Sequence, residues 1–437
     1  MNATIQRASA LQGVLTIPPD KAICHRAALL AAVANGVTEI RPWPAADDCQ
    51  RTLQLVQRLG VAVRSDRQAV WIEGRGAVHA PAQELFCGES GTTLRLAAGL
   101  LAGQPFTSRL TAGVALSRRP MRRIIEPLSR MGAVFSGGSS TEEMHPPLTV
   151  QGRRPLRAIR YEPPVASAQV KSAILLAGLF ADGPTTVVEP IQTRDHTERM
   201  LRAFGATLRL DGHDVSVEPG GLTSPGLLEL PGDVSSAAFF LTAAACVAGS
   251  SVQLDGVSLN PTRTALLDVL KRMGAEVRWS ADGEAWEPRG TIRVEARPLR
   301  AVTLQPHDIP GVIDELPVLM VAAACASGTS RLAGVGELRL KETDRVRSMV
   351  EGLTRLGANV RVVPPDTVEI DGGPLNGAEV ESAEDHRTAM SLAVAGLLAR
   401  GTTTIRGAEC VAKSFPGFFE HLGRLSGSST VKTVDKP

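Results

Sequence analysis

Hydrophobic and polar positions along the chain fall into two alternating kinds of run. The first is apolar on nearly every face, rich in alanine, and ends in a glycine followed by a β-rich stretch: 27–40, 94–110, 173–188, 237–254, 316–332 and 389–405, with Gly36, Gly103, Gly183, Gly249, Gly328 and Gly401. The second is amphipathic at helical spacing and ends in Leu, Met or Phe followed by Gly: 50–63, 121–135, 196–210, 264–278 and 345–362, with Phe415 to Leu425 a weaker sixth. Each glycine falls where a helix C-cap takes a left-handed residue, and the alternation that follows has the period of a strand. A helix apolar all round must be buried, and an amphipathic one covers it from solvent. One unit is therefore a buried helix, a strand, a covering helix and further strands. It recurs six times at about 65–80 residues, longer than the ~20–50 residues of a solenoid repeat.

The fold class is α/β, with strands and helices alternating throughout. At 437 residues the chain exceeds one ordinary core, so two or three domains are expected. Three repeats in each of two domains is the natural grouping, although the repeat count alone does not fix it. The residues from Ser426 to Pro437 are polar without periodicity and read as a disordered tail.

Composition narrows the partners. With 47 basic and 45 acidic residues the net charge is only +2, so no global field draws in nucleic acid or a membrane, and any anionic ligand must be held by local clusters. Aromatic residues are 3% of the chain, with a single tyrosine, Tyr161, which argues against a stacking platform for single strands. The longest apolar runs, such as 237–248 and 316–326, fall short of a membrane span, and the start lacks the apolar core of a secretory signal, so the expectation is a cytoplasmic protein. Six cysteines (Cys24, Cys49, Cys87, Cys246, Cys325, Cys410) form no Cys-x-x-Cys pair and read as reduced thiols, neither metal ligands nor disulfides.

Candidate chemistry lies at the entrances to the apolar helices. Lys21 and Arg26 flank the first, where free N–H groups and the helix dipole favour an anion. The second is entered through Cys87-Gly-Glu-Ser-Gly-Thr-Thr-Leu-Arg95, whose Gly88 and Gly91 let backbone approach a ligand; no Walker spacing is present. Arg119, Arg122 and Arg123 surround Pro120, which reads as a first helical position. The remaining entrances are Ser167-Ala-Gln-Val-Lys-Ser172, Gly232-Asp-Val-Ser-Ser236, Asp314-Glu-Leu-Pro317 and Glu384-Asp-His-Arg387. The densest charge cluster is Gly336-Glu-Leu-Arg-Leu-Lys-Glu-Thr-Asp-Arg-Val-Arg347. If it is helical, Lys341 and Arg345 stack as a like-charge i,i+4 pair that calls for an anion between them. Each entrance alone is explained by a cap or a solvated charged face. Six in register suggest helix N-termini gathered round a common anionic site.

Lys21 with Arg26, Gly88-x-x-Gly91-Thr92, Arg119-Pro120, Ser167-Ala-Gln169, Arg194-Asp-His-Thr-Glu-Arg199, Asp314-Glu, Lys341-Glu-Thr-Asp-Arg345, Asp385-His-Arg387 and Lys413-Ser-Phe-Pro416 together resemble the 5-enolpyruvylshikimate-3-phosphate synthase family, in order and spacing, over about residues 10–425. The resemblance implies a two-domain inverse α/β barrel-like fold of six βαβαββ repeats, three per domain. Residues 1–16 with 234–437 would form one discontinuous domain and 17–233 the other, with the active site in the cleft between them. It also implies a monomer with no cofactor and no metal. The small-molecule substrates are phosphoenolpyruvate and shikimate 3-phosphate, and the carboxyvinyl group passes to the 5-hydroxyl with release of phosphate. By the same resemblance Lys21, Gly91, Arg119, Arg345, Arg387 and Lys413 hold phosphoenolpyruvate. Lys21, Ala22, Arg26, Ser167, Ala168, Gln169, Thr193, Asp314 and Lys341 hold shikimate 3-phosphate. Asp314 and Glu342 are the acid/base pair, with Lys21 and Lys413 sharing the proton work.

Two departures stand out. Ala22 replaces the family's common serine, removing a hydroxyl from the acceptor site, and Glu89 stands where many members carry asparagine, with Arg95 and Arg119 as candidates to neutralise it. The sister UDP-N-acetylglucosamine enolpyruvyl transferase uses a loop cysteine that the stretch Thr111 to Arg123 lacks. A non-catalytic phosphometabolite-binding paralogue would have no need of both Asp314 and Glu342.

Overall fold

A computed structural model of the chain describes residues 1–139 and 143–434. The helices come in pairs along the chain: α1 (Lys21–Val33) and α2 (Asp47–Arg58), α3 (Gly91–Ala102) and α4 (Arg122–Arg130), α5 (Ala168–Gly178) and α6 (His196–Ala203), α7 (Val234–Cys246) and α8 (Ala265–Met273), then the single-turn α9 (Ile309–Val312), α10 (Leu316–Cys325) and α11 (Arg345–Arg355), α12 (His386–Leu398) and α13 (Phe418–Ser426). The first member of each pair is the buried one. In α7 every residue from Val234 to Ala245 is buried, whereas α2 buries one face made of Asp48, Cys49, Thr52, Leu53, Leu55 and Val56. Among the described residues the strands form six sheets, each joining a parallel pairing to antiparallel neighbours, as in Arg160–Tyr161, Thr185–Val188, Asp214–Val217 and Leu208–Asp211. No helix among the described residues is long and apolar enough to cross a membrane.

Contacts divide the chain into a discontinuous unit, Met1–Pro18 with Pro231–Pro437, and a continuous unit, Pro19–Leu230. These limits lie two or three residues from the expected crossings at 17 and 233. Ile17 belongs to the core of the discontinuous unit, and the Asp233 N–H bonds the Pro18 carbonyl at 2.8 Å, so both flanks of the crossings stay with that unit. In the continuous unit α3 packs on both α1 and α5; in the discontinuous unit α7, α10 and α12 pack on one another. The approach of α3 to α5 is set by Gly99, where a Cβ would lie 2.3 Å from the Ala173 carbonyl oxygen, a distance only glycine avoids.

The two glycine series differ. After the covering helices α2, α4, α6, α8 and α11, Gly60, Gly132, Gly205, Gly274 and Gly357 are all left-handed and close the helix as expected. After α1, α7, α10 and α12, Gly36, Gly249, Gly328 and Gly401 are also left-handed but stand three residues beyond the last helical one, because an extended residue (Ala34, Val247, Ala326, Ala399) ends the helix and starts the turn into the strand. Gly103 caps α3 without a left-handed conformation, and Gly183 lies in the turn beyond α5.

The expected disordered tail is corrected. Ser426 ends α13, and Val431–Val434 forms a strand paired antiparallel with Asn2–Ile5; residues 435–437 lie outside the described residues. A four-residue strand is too short to show a period in sequence, and its partner is more than 400 residues away. Cys24, Cys49 and Cys87 are buried and the other three cysteines partly so; all six are free thiols, and burial pushes that of Cys410 up to about 12.

Candidate active site

In the continuous unit the first turns of α1, α3 and α5 are bonded to one another. Asp20 caps α1 by accepting from the Ile23 N–H at 3.0 Å, and Lys21, the first helical residue, reaches the Asp48 carboxylate on α2 at 2.8 Å. The Ala22 carbonyl accepts from Arg26 Nη1 at 2.7 Å. Arg26 is 2% exposed and also donates from Nε to Thr197 of α6 (2.7 Å) and from Nη2 to Ser172 of α5 (2.8 Å), so it ties three helices together. A second chain runs from His25 Nδ1 to Thr52 (2.6 Å), on to Thr93 (2.6 Å) and to Ser90 (2.8 Å), the residue that caps α3. Burial lowers the His25 imidazole to about 3, so this chain contains a neutral ring.

Gly91, the first residue of α3, lies where two guanidinium groups meet. A Cβ there would stand 2.7 Å from Arg95 Nη1 and 2.9 Å from Arg119 Nη1. Arg95 donates to Gln169 Oε1 at 2.8 Å, and Gln169 Nε2 donates to Thr92 at 2.9 Å, bracketing the entrances of α3 and α5. Ser167 caps α5, and the Ala168 carbonyl accepts from Ser172 at 2.6 Å. Thr193 is held by Glu189 Oε1, which accepts from its N–H at 3.0 Å and from its hydroxyl. Three helix N-termini and several cations thus converge on one region of this unit, an arrangement that favours an anion.

Two expectations in this unit change. Pro120 does not open α4; the helix begins at Arg122, and Arg119 is extended (ψ 134°) after the short turn Leu116–Arg118. The residue before a proline is disfavoured in the helical region, and Arg119 stays extended, outside the turn that holds Arg122 and Arg123. The Glu89 carboxylate is met by backbone: it accepts from the N–H groups of Ala115 (3.3 Å) and Leu116 (2.7 Å), at the start of that same turn, where the expected partners were arginines.

In the discontinuous unit the centre is Arg345. Its side chain is 2% exposed and reaches three carboxylates: Nε to Asp385 at 2.8 Å, Nη2 to Glu342 at 2.5 Å and Nη1 to Asp314 at 3.5 Å. Burial disfavours the charged guanidinium, but Asp385, Glu342 and Asp314 outweigh it and hold the group above its ordinary value. Asp385 also caps α12, accepting from the N–H groups of Arg387 (2.8 Å) and Thr388 (3.3 Å). Arg387 returns to Asp314, donating to its carbonyl at 2.8 Å with Nε 3.8 Å from its carboxylate. Lys413 ends the turn Ala408–Lys413 and is half-buried.

The like-charge helical pair is not present. Helix α11 starts at Arg345, capped by Asp344, whose carboxylate accepts from the Arg347 N–H at 2.9 Å. Lys341 precedes it in extended backbone (φ −84°, ψ −154°) after the turn Val335–Leu340. A capping aspartate three residues past Lys341 ends any helix through it, and the Arg345 charge is met within the protein. Arg339 pairs with Asp344 at 2.9 Å and Arg347 with Glu351 at 2.7 Å, as solvent-facing support. Sequence reasoning assigned no role to Asp48 and Asp385 as partners of Lys21 and Arg345. They lie 27 and 40 residues from those partners and read locally only as acids near a helix start.

The family model for EPSP synthase (3-phosphoshikimate 1-carboxyvinyltransferase) matches residues 5–422. The chain is 46% identical over 415 residues to the 3-phosphoshikimate 1-carboxyvinyltransferase of Nitrosococcus oceani, covering 94% of this chain and 93% of that one. It is 46% identical over 428 residues to the protein of the same name from Alkalilimnicola ehrlichii, covering 97% and 95%. The solved EPSP synthase of Acinetobacter baumannii superposes with a TM-score of 0.87 at 40% identity, over 99% of both chains.

Proposed function

The chain belongs to the EPSP synthase (3-phosphoshikimate 1-carboxyvinyltransferase) family, and from that premise we propose which of its residues perform the family's reaction. The enzyme transfers the enolpyruvyl group of phosphoenolpyruvate to the 5-hydroxyl of shikimate 3-phosphate and releases phosphate, a step of aromatic amino acid biosynthesis. Family membership disfavours the UDP-sugar acceptor. We assign the protein, as the resemblance to the family implies, to the cytoplasm as a monomer.

The observation that carries the assignment is the pair of carboxylates gathered on one buried guanidinium, Glu342 at 2.5 Å and Asp314 at 3.5 Å from Arg345. The reaction must add a proton to the enol carbon while the acceptor hydroxyl loses one. The tetrahedral adduct then loses a proton from the new methyl group together with phosphate. A carboxylic acid and a carboxylate held side by side can serve both directions. Asp314 and Glu342 take these roles, and Lys21 and Lys413 stand by developing charge. Lys21, Gly91, Arg119, Arg345, Arg387 and Lys413 receive phosphoenolpyruvate. Lys21, Ala22, Arg26, Ser167, Ala168, Gln169, Thr193, Asp314 and Lys341 receive shikimate 3-phosphate, Ala22 and Ala168 through backbone. Each charge pair at 4 Å gains about 1 kcal/mol in water and about 4 at the effective dielectric of a partly closed site, so exclusion of water strengthens the whole set.

The test is phosphate release by the purified protein with phosphoenolpyruvate and shikimate 3-phosphate, with the UDP sugar as alternative acceptor. Release with the first acceptor alone is expected. Silence with both would remove the activity, and release with the sugar alone would reassign the acceptor.

A further inference from the structure

We propose that Lys171 and Glu189 form a buried strut that positions Thr193 for the acceptor substrate, outside the set of residues that touch either substrate. The inference rests on the reading that Thr193 contacts shikimate 3-phosphate.

Lys171 is 1% exposed, Glu189 7% and Glu198 3%. The ammonium lies 2.9 Å from Glu189 Oε2 and 2.5 Å from Glu198 Oε1. Glu189 uses its other oxygen, Oε1, to accept from both the N–H and the hydroxyl of Thr193. Lys171 stands one turn past Ser167 on α5, and its own N–H bonds the Ser167 carbonyl at 3.0 Å. A continuous line of hydrogen bonds, with the Lys171–Glu189 ion pair at its centre, therefore runs from the segment carrying Ser167, Ala168 and Gln169 to Thr193.

The far end of the line is also fixed. The Glu189 carbonyl accepts from His213 Nδ1 at 2.8 Å, and its N–H bonds the His213 carbonyl at 2.9 Å, which fastens the glutamate to the strand hairpin beside it. Thr193 itself lies in the irregular connection between the strand Thr185–Val188 and α6, where no ladder or helix holds it. The neighbouring rung, Ser172 to Thr197 at 2.6 Å with Arg26 on both, aligns α5 with α6 but does not reach that connection. Glu189 does.

Stability alone does not account for the cluster. A buried ammonium between two carboxylates is desolvated at a cost that apolar side chains of similar volume would avoid, so burying it secures position more than it secures folding. Burial lifts the Glu198 carboxyl above its ordinary range, against the lowering pull of Lys171. Glu198 braces the lysine from the side, and the link to the binding segment passes through Glu189.

The experiment is steady-state kinetics on the full chain, with the KM of each substrate measured separately and folding checked by circular dichroism. Glu189→Gln keeps the shape and weakens the charged link. It is expected to raise the KM for shikimate 3-phosphate about tenfold, to change that for phosphoenolpyruvate less than about twofold, and to leave kcat within about threefold. Lys171→Met should do the same where it folds, and Lys171→Arg should recover most of the loss. Thr193→Ala serves as the reference and should raise the same KM at least as far. A folded Glu189→Gln protein with an unchanged acceptor KM, while Thr193→Ala raises it, overturns the strut and leaves the site reading intact. Equal rises in both KM values overturn it as well. No effect of Thr193→Ala overturns the reading of Thr193 and the strut together.

Discussion

Arg345→Met tests the electrostatic centre of the discontinuous unit. The change removes a guanidinium that is 2% exposed, strands the side chain of Asp385, which is 0% exposed, and takes one partner from Glu342 and one from Asp314. Breaking a buried pair by deleting one partner costs about 3–5 kcal/mol. Asp385 keeps its other oxygen on the N–H groups of Arg387 and Thr388, so a loss near the lower end, about 3 kcal/mol, is expected. Adding Asp385→Ser keeps a capping oxygen for α12 and removes the stranded charge, and the double variant should regain about 1–2 kcal/mol over the single one. Activity should not follow stability. Without Arg345 the Glu342 and Asp314 carboxylates lose their common anchor, and a displacement of about 1 Å at reacting groups costs on the order of a hundredfold in rate. Both variants should therefore lose at least about a hundredfold in kcat/KM. Urea unfolding followed by far-ultraviolet circular dichroism measures the first quantity and phosphate release the second. A single variant within about 0.5 kcal/mol of the parent, or a double variant less stable than the single, refutes the pairing argument. Near-parental kcat/KM refutes the anchoring one.

Gly91→Ala would place a Cβ 2.7 Å from Arg95 and 2.9 Å from Arg119. Both contacts are the ends of flexible side chains, so stability should change by less than about 0.5 kcal/mol while the KM for phosphoenolpyruvate rises roughly tenfold; an unchanged KM would take Gly91 out of the site. Asp314→Asn and Glu342→Gln should each slow turnover by orders of magnitude with substrate binding largely retained in calorimetry, and near-normal turnover in either removes that residue from the proton-transfer pair. His25 is lowered from 6.5 to about 3, mainly by burial, so the unfolded chain takes up a proton in that interval and the folded one does not. Its contribution is present above pH 6.5 and is lost as pH falls towards 3, on the order of 5 kcal/mol at full extent. The fall in urea midpoint between pH 7 and pH 4 should shrink in His25→Gln; parallel profiles would contradict this.

What the sequence disclosed depends on the range of the interaction. The pairing of a buried with a covering helix is written in the apolar run of α7 and the one-sided pattern of α2, because solvent acts on each residue locally. Capping is local too, and Gly60, Gly132, Gly205, Gly274 and Gly357 were legible for that reason. The motif residues of the site were legible only through their joint likeness to a family, since no single one departs from a cap or a solvated charge. Long-range pairings left no local trace: Asp48 with Lys21, Asp385 with Arg345, and Val431–Val434 with Asn2–Ile5. The Lys341 and Arg345 reading failed where a local signal was present but outweighed, because Asp344 carries the N-cap chemistry that starts the helix after Lys341.

The strand Asn2–Gln6 lies between Thr402–Arg406 and Val431–Val434 in one sheet. During synthesis, residues 2–6 leave the ribosome some 400 residues before their partners. Pro19–Leu230 is contiguous and can be completed while the opening strand still waits. The waiting segment leaves its backbone unpaired and the apolar Ala3 and Ile5 uncovered until residues 402–434 are made. The same arrangement sets Asn2–Ile5 beside Val431–Val434 in one sheet, so a short peptide bridging these two strands, with the chain cut elsewhere, would let that sheet close from adjacent sequence.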